Sequence, residues 1–423
     1  MTLLIFALVV ILLMAFGFPI FMALFCGSLS YMLLNGINMV IAVKQMISGV
    51  NSFILLAVPL FILAAQVMNG TNITKRLFDF SDKLVGHIPG GLSHVNILSS
   101  VIFSGMSGSA IADTAGIGHM AAESMIKKGF GKPYSAALTI ASATIGPIIP
   151  PSIPMVIYAA LSGASLGKLF LGGIIPGLLM AALLMLYCFG VAVKRKHPRS
   201  VKPSFRELFL ALRGAFLPLM TPVILLTGIY TGIFTPTEAA AVATLYALII
   251  ALLTERDIKL KDLIGIGHKV VVSTGTIMII IAAAQLFSWI IAREQIPKIL
   301  TEWVIGANLS RGQVLLVLNI ILLIFGCLFD TNTILLVFVP LMIPLLGPLG
   351  IDLVHFGVIL CVNLMIGLCT PPFGMALFLI SGLVKVGIMD ILKELWPMLI
   401  ALLAVLMMIT WLPGLVLWLP GYY

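Results

Sequence analysis

The chain has 423 residues, of which 61% are hydrophobic and only 9% charged, and its mean hydropathy is +1.21. These values exclude a soluble globular protein and leave an all-α polytopic membrane protein held in a lipid bilayer. The net charge of +9 is gathered at the ends of apolar runs, where it orients the chain across the membrane, and it does not point to nucleic acid.

In chain order, residues 3–16 and 19–34 read as one or two spans around Gly17-Phe-Pro19. The first lacks a charged start, so it is a retained span and not a cleaved signal. A loop holding only Lys44 precedes a span over 53–69. Asn72 to Val85 sets Lys75, Arg76, Asp79, Asp82 and Lys83 among Leu77, Phe78, Phe80 and Leu84, the mixture of a helix lying along the membrane surface. Residues 92–126 are interrupted by Ser104-Gly-Met-Ser-Gly-Ser109 and flanked by Lys83 on one side and Lys127, Lys128 and Lys132 on the other. Both ends then face one compartment, which predicts a re-entrant hairpin with the Gly/Ser stretch at its tip.

Residues 134–163 contain Thr144-Ile-Gly-Pro-Ile-Ile-Pro-Pro-Ser152-Ile-Pro154. Pro147, Pro150, Pro151 and Pro154 each remove a backbone donor, so the helix breaks there. In lipid a broken helix survives only where its freed backbone lines a buried site or a cavity, the arrangement of transporter ion and substrate sites. A kinked helix with no ligand is the bland alternative. Residues 169–193 lead back to a linker, 194–213, carrying seven Lys/Arg, which should be cytoplasmic.

The second half continues with spans 214–233 and 236–253, a basic loop with Arg256, Lys259, Lys261 and Lys269, and a crossing over 270–292. Arg293 to Gly306 resembles a second surface helix, with Glu294, Lys298 and Glu302. Residues 313–346 are interrupted by Phe325-Gly-Cys-Leu-Phe-Asp-Thr-Asn-Thr333, and 354–380 by Gly367-Leu-Cys-Thr-Pro-Pro-Phe-Gly374. A surface stretch with Lys385 and Lys393 leads to a last span, 397–418. Alternating the loops leaves only Lys44, Lys168, Arg293, Lys298 and Arg311 on one side, with both termini there and all other Lys/Arg opposite.

Adding 221 carries Gly146, Pro150 and Pro151 onto Gly367, Pro371 and Pro372, Gly105 onto Gly326, Ser109 onto Asp330, and Gly129 onto Gly350. Upstream, Ala64-Ala65-Gln66 recurs as Ala283-Ala284-Gln285, and Pro19 as Pro236. The expected fold is two inverted-topology repeats, 1–193 (hairpin 92–126, broken helix 134–163) and 214–423 (hairpin 313–346, broken helix 354–380), with the binding site between them.

Gly and Ser at a tip permit tight turns and offer carbonyl and hydroxyl oxygens, the ligands of hard cations. One sodium site is expected from Ser104, Ser107, Gly108, Gly146 and Pro150, and a second from Gly326, Asp330, Gly367 and Thr370. At least two coupling Na⁺ ions follow; close helix packing is the alternative role for these small residues. Half-helix N-termini at the breaks suit a carboxylate substrate, with Ser109, Ser152, Asp330 and Asn332 near enough to contact it. Asp330, ionisable at membrane depth, is functional by default, or else only accepts hydrogen bonds from its own tip.

Other motifs have smaller roles. Thr235-Pro-Thr-Glu238 fits a capping box with proline at the first helical position, and Asp113 sits where it helps to seal the first tip. His119 and Glu123 share a helical face without a further ligand, so no metal site is read there. Gly163-Ala-Ser-Leu-Gly-Lys168 is one residue short of a P-loop and lacks the following Ser/Thr, so the chain is no ATPase by itself. The five scattered cysteines read as core packing.

Together the Gly/Ser tip, the Gly146-Pro-Ile-Ile-Pro-Pro-Ser152 break, Thr235-Pro-Thr-Glu-Ala-Ala-Ala241 and the Thr370-Pro-Pro372 break resemble the large membrane subunit of TRAP (tripartite ATP-independent periplasmic) transporters, in the ion-transporter superfamily, over essentially the whole chain. The resemblance implies an elevator mechanism, location in the bacterial inner membrane, and sodium-coupled uptake of an organic acid delivered by a periplasmic binding protein. Sialic acid and C4-dicarboxylates are the leading classes. It also implies a small four-helix membrane subunit, expected as a separate polypeptide because this chain lacks an extra N-terminal block. By the same resemblance Ser109, Ser152 and Asp330 fall at substrate positions, and Arg293 on a periplasmic face that meets the binding protein. Two other classes compete: a binding-protein-independent symporter or antiporter of the same superfamily, and an intramembrane enzyme acting on a lipid-linked substrate. The enzyme would need several acids, histidines or arginines at one depth for acid–base chemistry, whereas the predicted centre offers mainly Asp330, serines and backbone.

Overall fold

The computed structural model describes residues 2–69, 71, 73–254, 260–307, 309–372 and 374–423, and every regular element among these described residues is helical. Asn72 and the loop residues Arg256 and Lys259 of the sequence reading lie outside them.

Helices α1 (Thr2–Ala15) and α2 (Ile20–Leu34) form an antiparallel pair turned at Gly17, whose φ of 78° only glycine adopts easily. The Phe6 and Tyr31 rings meet at 5.9 Å. At 14 and 15 residues each helix is about 21–23 Å long, short of the ~30 Å hydrocarbon layer. Lys44 stands not in a loop but within α3 (Val40–Val50), which meets the segment Phe53–Asn69 at a 57° bend; that segment ends in α4 (Ala57–Asn69). The predicted surface helix is α5 (Ile73–Val85). Its apolar face, including Ile73, Leu77 and Phe78, is buried against protein and not left to lipid.

The first interrupted segment folds as α6 (Gly91–Ser107), a turn at Gly108 and Ser109, α7 (Ala110–Asp113), a wide π-type turn and α8 (His119–Lys127). Then come α9 (Lys132–Ala143), the proline-rich break, α10 (Ile153–Ser162) and α11 (Leu166–Arg195). The second half opens with α12 (Phe205–Tyr230) and α13 (Pro236–Thr254). The capping box forms as read: the Thr235 N–H donates to Glu238 Oε2 at 2.8 Å and the Glu238 N–H to Thr235 Oγ1 at 3.3 Å.

Helix α14 (Leu260–Arg293) is longer than the predicted crossing and takes in Lys269, because nothing from Leu260 onward breaks a helix. After α15 (Ile296–Gly306) come α16 (Arg311–Leu328), α17 (Thr331–Leu346), α18 (Leu353–Gly367), α19 (Met375–Val384) and α20 (Ile388–Trp411). Lys393, read as part of a surface stretch, lies inside α20, so the last span starts earlier than 397. Among the described residues six helices (α11, α12, α13, α14, α16 and α20) are long and apolar enough to cross a membrane. Adding 221 to the first residues of α6, α7, α9, α10 and α11 gives the first residues of α16, α17, α18, α19 and α20 to within one position.

Both interrupted segments are hairpins with their two ends together. At the first, Gly90 packs on Ala192, Lys128 Nζ donates to Ser200 Oγ at 3.3 Å, and the Phe130 ring lies 4.7 Å from that of His197. At the second, Arg311 Nη2 is 3.4 Å from His355 Nδ1, and residues 347–352 join α17 directly to the start of α18.

In each half the first hairpin arm runs parallel to the helix entering the break, tied by buried asparagine. Asn96 Nδ2 donates to Thr139 Oγ1 at 2.8 Å, and Asn363 Nδ2 to Asn319 Oδ1 at 2.9 Å. The Tyr158 hydroxyl of α10 donates to the Leu353 carbonyl at 2.7 Å, so α10 runs toward the end where α18 begins. Arg195, closing α11, pairs with Glu394 near the start of α20 at 2.9 Å.

Gly326 and Gly367 touch backbone to backbone where α16 ends; a Cβ on Gly367 would fall 2.7 Å from Gly326 Cα. Gly367→Ala is therefore expected to lose about 1–3 kcal/mol of stability by overpacking, read as a lower thermal midpoint in detergent micelles. Gly382→Ala, whose Cβ meets nothing within 4 Å, should leave the midpoint unchanged.

Candidate functional site

One cavity of about 400 Å³ collects residues from both hairpin tips and both breaks. Ser107 to Ala112, Pro147 and Pro154 line it from the first half, and Asp330, Asn332, Leu368 and Met375 from the second. Gln66 of α4 and Ser273 of α14 add two further polar side chains. No Lys, Arg or His lines it among the described residues. The polar groups that line it are hydroxyls, amides, one carboxylate and the backbone at the starts of α7 and α17.

The first tip sits directly on the first break. Gly108 has a φ of 59°, and a Cβ there would fall 2.6 Å from the Pro151 carbonyl oxygen. Its own carbonyl accepts the Ile153 N–H at 3.4 Å. The Ser107 hydroxyl donates to Asp113 Oδ1. The other oxygen, Asp113 Oδ2, faces Gly146 so closely that a Cβ on Gly146 would lie 2.2 Å from it. Asp113 is fully buried, yet Oδ2 has no hydrogen-bond partner. An unpaired buried carboxylate oxygen is costly unless a cation or a proton satisfies it. Ser107, Asp113 and Gly146 thus form a donor set that fits a hard monovalent cation.

Sequence reading gives Asp113 a sealing role at the first tip, and the Ser107 contact agrees with it. The signal was its position, the first acid after the Gly/Ser tip inside an apolar segment. Ser104 and Pro150, predicted with Ser107, stand outside the cavity lining; the Ser104 hydroxyl donates to the Val101 carbonyl of its own helix at 2.5 Å.

In the second half, Gly326 and Gly367 are in contact, and the Thr370 hydroxyl donates to the Ile366 carbonyl of α18 at 2.7 Å; all three stand outside the cavity lining. Asp330 is the N-cap of α17: Oδ2 accepts the N–H groups of Asn332 and Thr333 at 3.0 and 3.2 Å, and Oδ1 accepts the Thr333 hydroxyl. Both carboxylate oxygens are engaged by the tip itself, while the residue still lines the cavity.

Ser109 lines the cavity and caps α7, accepting the Ala112 N–H at 3.4 Å. Ser152 caps α10, accepting the Met155 N–H at 3.2 Å and donating to the Pro147 carbonyl; it is buried behind the lining. Arg293 is outside the cavity, exposed at the end of α14 with its guanidinium 5.5 Å from the Trp289 ring centre.

His119 and Glu123 lie 3.6 Å apart, and no group of three metal ligands exists among the described residues. Cys188, Cys361 and Cys369 are buried, but Cys26 is exposed on α2, so packing does not account for it.

The family described as the tripartite ATP-independent periplasmic transporter DctM component matches residues 7–415. The sialic acid TRAP transporter large permease protein SiaM of Vibrio cholerae is 41% identical over 96% of each chain. The C4-dicarboxylate large permease DctM of Pseudomonas aeruginosa is 39% identical over 88% of this chain and 87% of its own. The sialic acid permease SiaT of Haemophilus influenzae is 36% identical over 98% of this chain, which spans 67% of that longer protein. Among solved structures, the YdaH transporter of Alcanivorax borkumensis matches with a TM-score of 0.67 at 14% identity, over 90% of this chain and 88% of its own, a likeness of fold. The chain therefore belongs to the DctM family of TRAP transporters as a multi-pass large permease, a transporter and not an enzyme.

Proposed function

We propose that this permease carries an organic acid across the bacterial inner membrane, driven by sodium, through an elevator movement of the hairpins and broken helices against an outer scaffold. The supporting observation is the single cavity at which both hairpin tips and both breaks converge. Relatives are named for sialic acid, C4-dicarboxylates and 2,3-diketo-L-gulonate, all acidic solutes. A cavity without Lys or Arg suits such an anion only if helix N-termini and bound cations supply the positive charge.

Ser107, Asp113 and Gly146 hold one Na⁺ and pin the first tip to its break. Gly326, Gly367 and Thr370 contribute backbone and hydroxyl oxygen to a second. Ser109 and Asn332 contact the solute, and Asp330 fixes the second tip. The two halves act as inverted repeats with re-entrant hairpins. In support, α10 points toward the start of α18 and α20 starts beside the end of α11, and the helix starts recur at one offset. A small membrane subunit and a periplasmic binding protein complete the system, and Arg293 is a candidate contact for the binding protein.

Uptake of sialic acid and of succinate into proteoliposomes, with and without a sodium gradient, binding protein and small subunit, tests this reading. Transport that needs all three supports it; full transport by the chain alone would favour a binding-protein-independent carrier. Asp113→Asn keeps the side-chain shape and removes the charge. It should raise the sodium concentration for half-maximal uptake by about ten-fold or more, roughly 1.4 kcal/mol of cation affinity, and an unchanged sodium dependence would take Asp113 out of the site. Asp330→Ala removes a cap worth about 1–2 kcal/mol and should cut sodium-driven uptake severely; full uptake in that variant would show that Asp330 has no role in transport.

A further inference from the structure

Two cavities of this structure are related by the internal repeat. The central cavity is bounded on its scaffold side by Ile62 and Gln66 of α4 and by Ser273 and Ile277 of α14. A smaller cavity of about 140 Å³ lies between Ile281 and Gln285 of α14, Ser52 and Leu55 before α4, and the apolar face of α10. Adding 219 carries Ile62 onto Ile281 and Gln66 onto Gln285, while Ser273 and Ser52 line the two cavities outside that register. Each cavity has one carboxamide on the scaffold side among aliphatic side chains, with the Ser273 hydroxyl beside the first and the Ser48 and Ser52 hydroxyls beside the second.

Neither carboxamide has a hydrogen-bond partner among the described residues. Gly49 makes room for the second: a Cβ there would fall 2.6 Å from Gln285 Cβ. Both amides open onto their cavities, where they can donate to a passing polar ligand.

We infer that Gln66 with Ser273 and Gln285 with Ser52 are two equivalent polar stations, which the transported anion meets in turn at the two ends of the movement. The inference rests on the elevator reading. On the charge-based orientation Gln66 lies toward the basic, cytoplasmic end of α4, and Gln285 toward the opposite face. In the present conformation the solute cavity stands at Gln66. Ile157, Ala160 and Leu161 of α10 stand at Gln285. Sliding the hairpins and breaks toward the far side withdraws α10 from Gln285 and brings the cavity to it. An amide suits both ends of the path, since it donates to a carboxylate and carries no charge that would trap it.

The test uses the full complex, permease with small subunit and binding protein, in proteoliposomes, with the five native cysteines replaced. Gln66→Cys and Gln285→Cys are labelled by a membrane-impermeant maleimide from either side, with sialic acid as the probe solute. The expected result is reciprocal accessibility, Gln285→Cys from the binding-protein side and Gln66→Cys from the other, with sialic acid slowing both about five-fold or more. Reciprocal accessibility with protection of Gln66→Cys alone overturns the second station and leaves the elevator standing. Labelling of both from one side only overturns the elevator itself. In the native-cysteine background, Gln285→Ala should raise the half-saturating solute concentration for influx several-fold without moving that for sodium, and Gln285→Asn should recover part of the loss; an unchanged value likewise overturns the proposal.

Discussion

Every backbone N–H and C=O at membrane depth needs a partner, and this requirement shapes the centre of the molecule. The first break loses donors to proline, and each helix restarting nearby exposes N–H groups with no intrahelical acceptor. Three of the four restarts begin on an oxygen side chain: Ser109 for α7, Ser152 for α10 and Asp330 for α17. These are the positions that family resemblance marks for substrate. Their first task is structural, because each cap satisfies only one or two of the orphaned donors. At α10 none is left over, since the Ile153 N–H goes to the Gly108 carbonyl, residue 154 is proline, and the Met155 and Val156 N–H groups go to Ser152.

The two acids of the centre live in opposite environments. Asp330 accepts two N–H groups and a hydroxyl at the start of a helix, so its charge is met by the tip it caps. Asp113 receives one hydroxyl on one oxygen and presses the other against the Gly146 backbone without a donor. The repeat does not make them equivalent. Position 330 answers to Ser109, and Asp113 answers to Ile334, which is apolar and buried. The backbone repeats while its charge does not, so any cation held in the first half sees a full carboxylate that the second half offers only through its cap.

Much of this architecture was legible because proline and glycine punctuate helices whatever surrounds them. The break at Gly146 to Pro154, the turn at Gly108 and the capping box at Thr235 follow from local chemistry alone. The flanking lysines also anticipated that both ends of 92–126 lie together. Less legible were features decided by tertiary contact. Lys44 and Lys393 sit inside helices because a lone lysine can reach water from a helix end or face. The apolar side of α5 is covered by α6 and α12, which no periodicity distinguishes from lipid. Ser104 and Ser107 are neighbours in sequence, yet one turns to its own helix and the other to Asp113. That difference is one of helical face.

Charge balance in the cavity carries the coupling argument one step further. An anionic solute in the cavity would meet the charge of Asp330 with no Lys or Arg among the described lining residues to offset it. At a separation near 4 Å and an effective dielectric near 20, such a pair is unfavourable by about 4 kcal/mol. A cation bound within the same region would offset that term, and each ligand would then raise the other's affinity by the same factor. The proposed cation position adjoins the contact between the first tip and α10: Asp113 packs on Gly146, and the Gly108 carbonyl of the same tip accepts the Ile153 N–H at the start of α10. On this reading, sodium and solute move together because neither is well bound alone.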